Sequence, residues 1–114
     1  MVFSIMANAY KNKKVDLTTT NLTTLYTVPT ETTAIVKSFL VSDDSGSGDA
    51  IDITLVDAAS AIFNLFNDLT IAGDQTVELL AAPLVMAASE IIKVQATTAD
   101  RLHVVISLLE ITRA

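Results

Sequence analysis

Between Ala50 and Asp57 the chain reads Ile51-Asp52-Ile53-Thr54-Leu55, with apolar side chains at the odd positions and polar ones between them. Alternation of period two sends one set of side chains to a core and the other to solvent, the pattern of a half-buried β-strand. Upstream, Thr33-Ala34-Ile35-Val36-Lys37-Ser38-Phe39-Leu40-Val41 is apolar on both parities. That pattern predicts a strand covered on both sides or one contributing to an interface. Near the carboxyl end Leu102, Val104, Ile106 and Leu108 share one parity, while Val105, Leu109 and Ile111 share the other, which predicts a central strand.

Further short apolar segments lie at 22–28, 62–66, 69–72, 76–80, 84–86 and 91–97, rich in Thr, Val and Ile. Branched Cβ atoms suit a pleated surface. Turn-forming stretches separate these segments: Pro29-Thr30-Glu31-Thr32, Ala72-Gly73-Asp74-Gln75 and Ala87-Ala88-Ser89-Glu90. Ser45-Gly46-Ser47-Gly48 is the one stretch expected to be flexible. A helix is the alternative over 57–66 and 79–89, where Ala and Leu are frequent, and Pro83 argues against the second. At most one helical turn is expected, near 58–60 or 87–88. The prediction is an all-β fold, an antiparallel β-sandwich or jelly-roll-like arrangement of about eight strands.

A chain of 114 residues has room for one domain. Residues 1–9 are expected to form a short N-terminal extension or arm, and 10–114 a single β-sandwich domain. Met1-Val2-Phe3-Ser4-Ile5 is apolar but lacks the length and basic flank of a secretory signal, and Met6 offers a second possible start. Hydrophobic residues make up 51% and charged residues 18%, an apolar surplus for so small a domain that predicts contact with a partner. The net charge of −6 argues against nucleic acid as that partner. Only Lys11, Lys13 and Lys14 cluster, as expected of a solvated strand or arm, or of a contact to an acidic neighbouring subunit. No run approaches the roughly 20 apolar residues of a membrane helix, and the absence of cysteine removes disulfides and thiolate chemistry.

Few residues suggest chemistry. His103, the one histidine, lies between Leu102 and Val104 and is read as a strand histidine at a surface or interface. Asp43-Asp44-Ser45-Gly46-Ser47-Gly48-Asp49, with Asp52 and Asp57 beyond, offers oxygen ligands of the kind calcium takes, but without the spacing of an EF-hand. It is read as a solvated loop. Carboxylate-pair hydrolysis of sugars would want aromatic platforms, and the chain has no Trp and only Tyr10 and Tyr26. Phe39, Phe63 and Phe66 are expected to fill a core. With no phosphate loop, nucleophile elbow or metal-ligand cluster, the chain is predicted not to be an enzyme, and no catalytic, cofactor-binding or metal residue is assigned.

Leu25-Tyr26-Thr27-Val28-Pro29 followed by Thr33-Ala34-Ile35-Val36-Lys37-Ser38 resembles the opening of small β-sandwich structural proteins of tailed bacteriophages. Val77-Glu78-Leu79-Leu80-Ala81-Ala82-Pro83-Leu84-Val85-Met86, then Glu90-Ile91-Ile92-Lys93-Val94-Gln95-Ala96, is similar to the second half of that pattern, so that together they span residues 22–112. The resemblance implies a virion role, as a capsid decoration (cement) protein or a neck, tail or fibre component. It also implies an oligomer, with a homotrimer preferred, and as partners the major capsid protein or other virion proteins. A carbohydrate- or receptor-binding sandwich is the competing expectation.

Overall fold

The computed structural model describes residues 6–113, and the expected extension at residues 1–5 lies outside them. Nine strands follow one another: β1 (Met6–Asp16), β2 (Thr23–Thr27), β3 (Thr32–Asp43), β4 (Asp49–Val56), β5 (Ile62–Ile71), β6 (Thr76–Glu78), β7 (Leu84–Met86), β8 (Ile91–Ala96) and β9 (Leu102–Arg113). No helix occurs among the described residues, and 57–66 and 79–89 are turns and strands.

All pairings are antiparallel. One sheet has the order β1-β9-β3-β6 with β7 also on β3, and the other the order β2-β8-β4-β5. The first strand therefore pairs with the last, the second with the eighth, the third with the sixth and seventh, and the fourth with the fifth. This is one long hairpin with its tip between β4 and β5, rolled until β9 also meets β3 and β8 also meets β4. Such a roll is a jelly roll, a double-sheet answer to the burial of two apolar faces. Residues 6–9, placed by the sequence in an arm, pair with 110–113 as the start of β1.

The core lies between the sheets. Val36, Phe39, Val41, Val104, Ile106 and Leu108 enter it from one side, and Ile51, Ile53, Ile92 and Val94 from the other, each at most 1% exposed. A register shift between Val36 and Ser38 makes β3 change parity, so that Ala34 and Val36 point inward before it and Phe39 and Val41 after it. That bulge explains much of the apolar residue pattern on both parities. The partner strand is interrupted opposite the same point. Pro83 cannot donate to a ladder, and residues 79–83 leave the sheet between β6 and β7. Glu78 fills the break: its carboxylate accepts hydrogen bonds from the Ser38 hydroxyl (2.5 Å) and the Phe39 N–H (2.7 Å). Burial opposes ionisation of Glu78, but these donors outweigh it and hold the carboxyl below its usual range.

Two expectations change. Segments 62–66 and 69–72 are one strand, because the turn-like Asn67-Asp68 forms a bulge, with Asp68 at φ 55° and its N–H bonded to Asp52 Oδ1. Residues 45–48 are pinned in the structure. Asp43, 4% exposed, accepts from the N–H groups of Ser45 (2.8 Å) and Gly46 (2.9 Å), and Arg101 donates to the Gly48 carbonyl (2.9 Å). Gly73 packs against this loop so closely that a Cβ there would stand 2.3 Å from the Gly46 carbonyl oxygen. Both neighbours are backbone, so Gly73→Ala is expected to force the two loops apart and lower stability by about 1–3 kcal/mol. Urea denaturation checks this, and a change under about 0.5 kcal/mol, the usual range of neutral surface substitutions, would mean that the loops separate freely.

Candidate assembly surface

Antiparallel register decides which residues stand side by side on the outer face of the five-stranded sheet. Tyr10 lies opposite Leu109, Leu109 opposite Ile35, and Ile35 opposite Val85, an apolar row across four strands. A second row runs Lys14, Val105, Leu40 and Glu78, and Ile111 stands beside Asn8 and Thr33. Tyr10 is 76% and Val85 62% exposed, with Ile35, Leu40, Val105, Leu109 and Ile111 half-buried. The outer face of an antiparallel sheet ordinarily alternates to polar; here an unbroken apolar row crosses it, with the polar row Asn12, Ser107 and Ser38 between it and the second row. Lys37, the bulge residue of β3, places its ammonium 5.6 Å from the Tyr10 ring centroid, within cation–π range.

The second apolar area is the edge strand β5. Ile62 is 67% exposed, Phe63 52% and Leu65 37%. Phe63 therefore does not fill the core as expected, whereas Phe39 does and Phe66 packs against it. The reason is position. Phe63 pairs with Leu55 next to the tip of the β4–β5 hairpin, on a strand at the edge of its sheet. The tip itself is tied by Asp57, whose Oδ1 accepts from the N–H groups of Ala59 and Ala61, both at 2.9 Å.

At the polar end of the outer face, His103 stands opposite both Asp16 and Ser42. Its Nε2 is 3.2 Å from Asp16 Oδ1 and 3.6 Å from Asp44 Oδ2, partners that linear order did not reveal. These contacts fasten β1 to the residue after β3. On the inner face Glu110, 5% exposed, receives the Tyr26 hydroxyl at 2.5 Å and the Lys11 ammonium at 2.8 Å. Burial opposes its charge, but Lys11 first and then Tyr26 hold the carboxyl below its usual range. Burial and then Glu110 push the Tyr26 hydroxyl well above its own.

The aspartates considered for calcium do not converge. Asp43 caps its own loop, Asp49 accepts from the Thr98 N–H (2.8 Å), and Asp52 and Asp57 hold separate turns. Among the described residues no group of three or more acidic, histidine or cysteine side chains is placed to hold a metal ion. No protein-family model matches the chain, and no curated protein matches it.

Proposed function

We propose that the chain is a structural protein of a virus particle, a capsid decoration (cement) protein of a tailed bacteriophage. It works as a homo-oligomer, preferably a trimer, seated on the major capsid protein. The observation that carries this reading is the apolar surface left outside a complete core: the Tyr10, Leu109, Ile35 and Val85 row and the exposed β5 side chains. Contiguous apolar surface of this kind on a small domain marks association. Jelly rolls recur in viral capsids and in lectins, and a fold by itself does not choose between them. The phage-like strand and turn sequences favour the capsid role, and they account for a surface built to adhere rather than to react.

The test is the copy number of the protein in purified virions, by quantitative mass spectrometry against the major capsid protein. Copies in the hundreds are expected for a decoration protein. A few to a few dozen would move it to the neck, tail or fibre, and absence from the particle would overturn the virion reading.

A further inference from the structure

We propose that copies of this chain join head to tail, the free edge of β1 in one copy adding to the free edge of β5 in the next. This rests on the self-associating reading above and names the surfaces it uses.

Both strands are long and open on one side. Among the described residues, β1, of 11 residues, pairs with β9 alone, and β5, of 10, with β4 alone. At about 3.3 Å per residue, either edge presents roughly 30 Å of alternately unpaired N–H and C=O groups. Native edge strands are usually short, covered or charged so that they do not pair further. Among the described residues no strand pairs with either of these two edges, so charge decides what each can accept.

The charges are segregated along the chain. Residues 6–37 contain four lysines (11, 13, 14 and 37) against two acids, Asp16 and Glu31. Residues 38–92 contain nine acids and neither lysine nor arginine. The first segment supplies the β1 edge. The second supplies β4, β5 and the hairpin tip, with Asp68 on β5, Asp52 beside it and Asp57 in the tip. A twofold β1–β1 pairing would set lysine against lysine, and like charges opposite one another destabilise a strand pair; β5 carries no base and one acid, Asp68. The β1–β5 pairing instead sets Lys13 and Lys14 against an edge whose one charge is Asp68, with Asp52 beside it and Asp57 in the tip, so the same lysines that disfavour one contact favour the other. Ile62, Phe63 and Leu65 on one side and Tyr10 on the other add the apolar area that a strand pair alone lacks. Because the contact joins two different surfaces, it propagates from copy to copy until rotation closes a ring, which is how a trimer would form.

Sedimentation of the full chain tests this with two variants. Lys13→Glu/Lys14→Glu reverses the β1 edge and leaves Lys11 on Glu110. Phe63→Asp/Leu65→Asp puts charge on exposed β5 positions. Each variant alone is expected to be monomeric under conditions where the wild type assembles, and an equimolar mixture is expected to form one-to-one dimers and nothing larger, since each copy retains one sound edge. Wild-type assembly is also expected to weaken at least about tenfold between low and high salt as the charges are screened, a reading that needs no variant to fold. If the β1 variant assembles like the wild type, or if wild-type assembly is insensitive to salt, the edge contact is wrong while self-association stands. If the wild type is monomeric throughout, both fall.

Discussion

Phe39→Ala is expected to destabilise the protein by about 3–5 kcal/mol, the range for truncating a buried aromatic side chain. Phe39 is the largest of the fully buried side chains, 1% exposed, and enters the core immediately after the β3 bulge. It lies opposite Ile106 and beside the interrupted partner strand, where its own N–H is bonded to Glu78 and its carbonyl accepts from Leu79. The side chain therefore occupies the one region of the five-stranded sheet where ladder pairing is broken on one side, and packing has most to hold there. Since small domains have net stabilities of about 5–15 kcal/mol, the variant should lie near the edge of folding at ambient temperature. Urea unfolding measures it. Phe39→Leu should lose less, about 1–2 kcal/mol, because most of the volume remains. Equal losses for the two variants would show that ring shape rather than volume is what the bulge requires.

Removing the buried carboxylate comes next, with Glu110→Ala expected to lower stability by about 2–4 kcal/mol. Glu110 on β9, Lys11 on β1 and Tyr26 on β2 form one hydrogen-bonded group that fastens the edge strand to its sheet and one sheet to the other. Truncation leaves the Tyr26 hydroxyl, almost wholly buried, without its acceptor, and a buried polar group so orphaned costs about 1–3 kcal/mol beyond the lost bond. Lys11 is half exposed and regains water, which keeps the loss below that of breaking a fully buried ion pair. Tyr26→Phe alone should cost about 1.5–3 kcal/mol as a lost bond to a charged group. In the Glu110→Ala/Tyr26→Phe double variant the losses should fall short of their sum by at least about 1 kcal/mol, and strict additivity would mean that the two side chains act independently.

Three carboxylates set the acid limit. Glu110, Glu78 and Asp43 all have folded-state pKa values below their ordinary ones, 4.5 for the glutamates and 3.8 for Asp43. The unfolded chain therefore takes up protons before the folded one does, and the stability these groups contribute is fully present above the unfolded values and lost as pH falls through the folded ones. Stability in urea should stay level from neutral pH down to about 5 and fall below about 4.5. Glu110→Gln should fall less steeply, and an unchanged slope would place the acid sensitivity in the other two groups.

Most strands were legible because their periodicity is local. Ile51, Ile53 and Leu55 announce β4, and Leu102, Val104, Ile106 and Leu108 announce the inner face of β9, without reference to anything distant. The parity change in β3 was not legible, because a bulge at Lys37 reads in the sequence as an apolar strand with two faces. Asn67-Asp68 likewise reads as a turn between strands when it is a bulge within β5. The site was less visible still. Exposure of Phe63 depends on β5 lying at the edge of its sheet, and the partners of His103 and Glu110 come from residues some 60 to 100 positions away in the chain. The apolar residues of the outer face were half legible, in Val105, Leu109 and Ile111, and the row that joins Leu109 to Tyr10, Ile35 and Val85 exists only through register.

The pairing of the first strand with the last has a consequence for how the molecule comes into being. β9 lies between β1 and β3 in its sheet and supplies four of the buried core side chains, Leu102, Val104, Ile106 and Leu108. A ribosome delivers those residues after the other eight described strands, so until then β1 lacks the strand it pairs with and β3 lacks one of its neighbours. Each closure of a long loop must be met by entropy before its contacts form, which makes such topologies slow, on the order of milliseconds to seconds. During that interval the edges of β3 and β1 that β9 will cover are open to strands of other nascent chains.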